Sequence, residues 1–117
     1  MNGDPFKAVV TSSDASSGVA VPIYLAGQTA TYTVNSKDFI EVTDIEITTV
    51  PGGPCHVFIG ADATPAVPET IVKGTYAANG GIATNLNQSR CGVQGGTIWV
   101  IAPAGTVDVV ISGRIHR

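Results

Sequence analysis

Thr106-Val107-Asp108-Val109-Val110-Ile111-Ser112-Gly113-Arg114-Ile115-His116 carries the pattern that decides the fold. Val107, Val109, Ile111, Gly113 and Ile115 fall in one phase, and Asp108, Val110, Ser112, Arg114 and His116 in the other. A period of two is the mark of a strand with one buried face. Residues 97–102 read as a strand as well, with Pro103-Ala104-Gly105 as the turn between the two. The end of the chain is therefore expected to be a β-hairpin.

Working back toward the N-terminus, residues 39–50 form the longest strand candidate, and it changes phase. Ile40 and Val42 share one face, while Ile45 and Ile47 are shifted by one residue. A one-residue slip would turn the second half inside out. Either a β-bulge at Thr43-Asp44 restores the face, or a bend moves the strand to another sheet. Residues 19–25 alternate around Pro22, which has no N–H for a ladder, so an edge or irregular strand is expected. Residues 29–34 alternate and are rich in β-formers. Pro51-Gly52-Gly53-Pro54 and Asn79-Gly80-Gly81 are turn signals, 60–68 reads as a loop, and 87–96 as a long irregular segment. No window shows helical periodicity with caps. The expectation is an all-β, single-domain antiparallel β-sandwich of about eight strands, jelly-roll-like. Residues 1–18 read as an N-terminal arm and linker before a domain over 19–117, or else as an ordinary first strand and a long loop.

Composition narrows the function. The 117 residues are 44% apolar and only 13% charged, with net charge −3. Charged residues usually make up about a quarter of a domain. A small domain that does not cover itself with charge is expected to hide surface against a partner, unless Thr, Ser, Asn and Gln take over that role. Lys and Arg are scattered singly, so nucleic-acid binding lacks its electrostatic footing. No apolar run is long enough for a membrane-spanning helix, and residues 1–5 do not resemble a secretory signal, so assembly in a cytoplasm is expected. Cys55 and Cys91 are too few for a disulfide scaffold. They are expected as two reduced thiols, although one bridge would be possible on neighbouring strands.

Reactive constellations are sparse. Cys55 and His56 are adjacent, and adjacent strand residues point to opposite faces, so they do not form a nucleophile–base pair. Glu41, Asp44 and Glu46 interleave with apolar residues, and read as a wet strand face more simply than as paired catalytic carboxylates. Cys55, His56, Cys91 and His116 lack zinc-ligand spacing. The loop at 92–96 follows no strand-to-helix junction that would make it a phosphate cradle. No catalytic residue, cofactor or metal is expected. Trp99, mid-strand beside Ile98 and Val100, is expected in the core. Tyr24, Tyr32 and Tyr76 remain as surface platforms for a sugar, with the 87–96 loop beside them.

The Phe-Ile-Glu-Val-Thr-Asp-Ile-Glu-Ile strand (39–47), the Val-Phe-Ile-Gly strand (57–60), the Asn-Gly-Gly turn (79–81) and the terminal Ala-Gly-Thr-Val-Asp-Val-Val-Ile-Ser-Gly (104–113) come in this order after a polar N-terminal stretch. This pattern resembles the small jelly-roll capsid decoration, or cement, proteins of tailed bacteriophages, over residues 29–115. The resemblance implies a non-enzymatic virion structural protein, assembled in the host cytoplasm, forming a homotrimer and seated on the major capsid protein. It implies no catalytic residue. It also gives residues 1–12 a role as a shell-gripping arm, with Asp4, Pro5, Phe6, Lys7 and Val9 as the contacts, acting by strand addition. The alternative is a carbohydrate-binding or adhesion β-sandwich module of a virion tail or a cell surface.

Overall fold

A computed structural model describes residues 3–12, 15–50, 53–62, 69–76, 80–92, 94–102 and 106–117. Among them are nine strands: β1 (Asp4–Ser12), β2 (Ala15–Ala20), β3 (Ile23–Leu25), β4 (Phe39–Val50), β5 (Gly53–Gly60), β6 (Glu69–Tyr76), β7 (Gly80–Cys91), β8 (Thr97–Ala102) and β9 (Thr106–His116). They form two sheets, β3-β1-β9-β4-β7 and β2-β8-β5-β6, and every strand pair described is antiparallel. The pairs β1·β9, β2·β8, β4·β7 and β5·β6 are nested. The second half of the chain thus runs back along the first, and the doubled ribbon is rolled into a sandwich. That is the jelly-roll order, with β3 as an added edge.

The core lies between the sheets. Ile40, Val42, Ile45, Ile47, Val107, Val109, Ile111 and Ile115 come from the large sheet, and Cys55, Val57, Ile59, Ile98 and Val100 from the small one. The phase change in β4 is a bulge: Val42 stands opposite Gly113 and Asp44 opposite Ser112, so Thr43 is the extra residue. It keeps both halves of β4 facing the core, and the Thr43 hydroxyl donates to Asp44 Oδ2 (2.9 Å). Beside the bulge the strands come close. A Cβ on Gly113 would run into the Glu41 carbonyl and the Phe6 ring.

Several expectations are corrected. Strands β8 and β9 are both present, but they lie in different sheets, so they are not a hairpin; β9 is taken up between β1 and β4 instead. The expected turn at Pro103-Ala104-Gly105 lies outside the described residues, as do Pro51, Gly52, Asn79 and residues 63–68 of the expected turns and loop. Residues 4–12 are not an arm ahead of the domain. They form β1, paired along its whole length with β9, and Phe6 and Ala8 are buried in the core. The apolar phase Phe6–Ala8–Val10 is what draws this segment in, so the domain starts before residue 19. Residues 19–25 split at Val21-Pro22, where the chain passes from the small sheet to the large one. Residues 29–34 join no sheet. Tyr32 and Val34 pack on the core while Thr31 and Thr33 face out, so the alternation is that of an extended segment crossing the end of the sandwich. The irregular segment 87–96 belongs in part to β7, in which residues 86–89 bulge opposite Thr43.

Candidate functional site

The β3–β4 connection, residues 26–38, closes one end of the sandwich, and Tyr32 is its centre. Its backbone N–H donates to the Ile23 carbonyl (2.7 Å). Its hydroxyl donates to Asp38 Oδ2. Asp38 is only 3% exposed, and the same oxygen accepts the Asn35 N–H (3.0 Å). Burial, then the bond to Asp38 and its charge, hold the Tyr32 phenol above the ordinary tyrosine value, so it stays a donor. The Arg117 guanidinium lies 5.6 Å over the ring, and its Nε donates to Asp4 Oδ2 (2.6 Å). The ring is held at its backbone, at its hydroxyl and over one face.

Tyr32 separates two hollows. The first, about 420 Å³, is lined by Asp4, Leu25, Gln28, Thr31 and Arg117 as well as the ring. The second, about 390 Å³, lies between Tyr32, Pro22 and Val34, with Thr31, Thr33 and Thr97 around it and Gly95 on its far wall. Both volumes fall in the range of ligand sites. Gly95, with φ +77°, donates its N–H to the Asp38 carbonyl (2.7 Å), which ties the 94–97 segment to this loop.

The outer faces of the two sheets differ in kind. The large sheet presents Lys7, Asp44, Glu46, Asp108, Ser112 and Arg114. On the small sheet Trp99 stands opposite Phe58, and Ile101 opposite His56. Phe58 points away from the inter-sheet core yet is 1% exposed. The His56 ring lies 4.7 Å from it, and His56 Nε2 hydrogen-bonds the Thr70 hydroxyl (3.0 Å). Trp99 Nε1 donates to the Gly60 carbonyl (3.1 Å), so the indole reaches across β5 rather than standing off the sheet.

The residues singled out from sequence are scattered by this arrangement. Asp4 and Pro5 line the first hollow, Phe6 is in the core, and Lys7 and Val9 are exposed on the large sheet. They do not form one contact surface. Tyr24 is half-buried on β3 opposite Lys7, whereas Tyr32 packs on the core, and the side chain of Tyr76 lies outside the described residues. Of the sugar-platform residues, the structure brings Tyr32 and Gly95 to one hollow. Trp99 is not in the core but half-buried on the outer face, because Ile98 and Val100 take the inward phase. Glu41, Asp44 and Glu46 lie on the outer face of β4. Glu41 Oε1 meets His116 Nε2 (2.8 Å), and His116 stacks on Phe39 (4.6 Å between centroids). Cys55 is buried and its thiol is pushed up to about 11 by burial; Cys91 is exposed, and burial and the nearby Glu41 and Glu69 carboxylates raise it too. Both are free. Among the described residues no three His, Cys, Asp or Glu side chains gather as a metal site. Sequence reading missed Arg117, Asp38 and Phe58. Arg117 and Phe58 acquire their roles from segments distant in the chain, whereas Asp38 acquires its own within its loop, from Tyr32 and Asn35.

The chain matches no protein-family model and no curated protein. Among solved structures it is similar to the NLP core of Drosophila, whose study concerns pentamer formation and histone binding: 15% identity over 96% of this chain and 99% of that one, TM-score 0.48. It is also similar to a protein of the disulfide-linked pili called Bacillus endospore appendages: 13% identity over 97% and 93%, TM-score 0.43. Likeness at this level carries no argument about partners or activity.

Proposed function

We propose that the protein is a non-enzymatic structural module that acts by being buried: a capsid decoration protein, trimeric, seated on the major capsid protein of a virion. One observation carries the reading. The outer face of the small sheet holds Trp99, Ile101 and the sealed Phe58, where an antiparallel sheet facing water would present polar residues. Aromatic anchors surrounded by polar groups, here Thr70 and Lys73, are the anatomy of a protein interface. The low charge of the whole chain, 13%, and the phage-like strand pattern of its sequence support the same reading. The role given to a terminal arm passes to this face, since residues 4–12 are committed to β1.

Light scattering behind size exclusion tests the assembly. The expected mass is near three times the 11.9 kDa of the chain. Ile101→Asp is expected to return a monomer with unchanged circular dichroism. A wild-type monomer at all concentrations overturns the trimer, and a trimer indifferent to Ile101→Asp and to Trp99→Lys overturns the face. Sedimentation with capsid shells stripped of their decoration protein tests the seat, and failure to bind them overturns it.

A further inference from the structure

We propose that the second hollow, walled by Tyr32, binds a neutral saccharide. This goes beyond the assembly reading and does not depend on it. Tyr32 lines both hollows, but Arg117 lines only the first, so the second reaches the tyrosine with no charged group in its lining. The half-buried ring is already immobilised, through Ile23, Asp38 and Arg117. A pre-held ring loses little freedom when a ligand stacks on it.

The lining selects the ligand. No charged side chain lines this hollow, so it offers no field for a phosphate or an ammonium group. Pro22 and Val34 give the lining apolar character, and Thr31, Thr33 and Thr97, which also line it, give it a neutral polar one. A pyranose has the same division: C–H groups for the aromatic and apolar surfaces, and hydroxyls around its edge. A purely apolar ligand would leave the threonines without a partner from the ligand. An added peptide strand finds less to pair with, because the Val21 N–H is bonded to the Ile98 carbonyl and the Tyr32 N–H to the Ile23 carbonyl. At about 390 Å³ the hollow suits a short oligosaccharide segment.

The test is titration of the whole chain with maltotetraose, cellotetraose, tetra-N-acetylchitotetraose and a galactotetraose, followed in amide NMR spectra. One of them is expected to give saturable shifts confined to residues 20–23, 31–34 and 94–97. Tyr32→Leu is expected to weaken that binding by about tenfold, the loss of one stacked ring. Thr33→Val and Thr97→Val should each weaken it less, and they guard against a fold defect in the tyrosine variant. Absence of saturable shifts in these segments with all four sugars overturns the proposal. So does binding that Tyr32→Leu leaves intact, or a response here to cyclohexanol but to none of the sugars.

Discussion

The two sheets share one core, yet their outer faces follow opposite rules. On the large sheet, the outward phase of β1, β4 and β9 carries Lys7, Glu46, Asp108 and Arg114, and small residues lie between them. Val9, at 38%, is the exposed large hydrophobic residue among those described, and it sits alone beside the half-buried Val110. On the small sheet the outward phase of β5 and β8 carries Phe58, Trp99 and Ile101. The difference teaches that facing outward and being wet are separate properties. Strand periodicity decides the first. Neighbouring side chains on the same face decide the second: His56 lies against Phe58, Trp99 stands opposite it on β8, and Phe58 is left 1% exposed.

The sharpest way to break this contrast is to truncate one outward residue on each face. Phe58→Ala removes a ring that is 1% exposed, so it is expected to cost about 3–5 kcal/mol, as in an inter-sheet core. Val110→Ala, on the other face, is expected to cost about 1 kcal/mol, since only part of its apolar area is lost from contact. Urea midpoints measure both. Equal, small losses would mean that Phe58 is merely shielded and contributes no core-like packing. Trp99→Phe comes next in size. It keeps an apolar cover but leaves the Gly60 carbonyl without its indole donor, an expected loss of about 1 kcal/mol, read by circular dichroism because Trp99 is the single tryptophan.

Which parts of this were legible in the sequence follows from the range of the interactions. Alternation in β8 and β9 is a local property, and Val107, Val109, Ile111 and Ile115 are all buried as their phase requires. The slip between Val42 and Ile45 is also local, and Thr43 is the bulge that repairs it. What pairs with what is not local. Residues 97–115 look like a hairpin because two strands follow one another, but β9 finds longer, better-matched partners in β1 and β4. The first strand looked like an arm because a Ser-rich stretch follows it, while its own Phe6–Ala8–Val10 phase was the stronger signal. At the site, Tyr32 was legible as an aromatic in a polar setting. Arg117 over its ring was not, because it depends on where the end of the last strand meets the loop; Asp38 at its hydroxyl was not either, because the loop carries no periodicity that predicts its turn. Trp99 was misplaced for the same reason: its neighbours Ile98 and Val100 were visible as apolar, but not that they claim the inward face first.

A histidine on the small sheet gives a finer probe. His56, on the small sheet, is held below the ordinary histidine value of 6.5, mainly by burial and then by the nearby Lys73 charge. Folding therefore favours its neutral form. Its contribution is present in full above about pH 6.5, the unfolded value, and declines as the pH falls from there to the folded value. Urea midpoints at about pH 8 and about pH 5 are expected to differ less in His56→Gln than in the wild type, and Lys73→Met is expected to shrink the difference in the same direction. An unchanged difference in both variants would show that the small-sheet face is wet around His56, in contrast to the burial of Phe58 beside it.

The smallest effect on stability is expected on the large sheet, and it tests why that face stays wet. Val9, Val110 and Glu46 stand side by side on β1, β9 and β4. The carboxylate thus ends a row that would otherwise be a continuous apolar strip. Glu46→Val is expected to change the urea midpoint by no more than about 0.5 kcal/mol of stability, because position 46 is exposed. Its association is expected to change more than its stability: with the charge gone, light scattering should find species larger than those of the wild type, since exposed apolar strips on flat sheets recruit partners. If Glu46→Val keeps the wild-type mass, the neighbouring Lys7, Asp108 and Arg114 suffice to keep this face free. The choice of interface would then lie with the apolar outer face of the small sheet and not with one carboxylate on the large one.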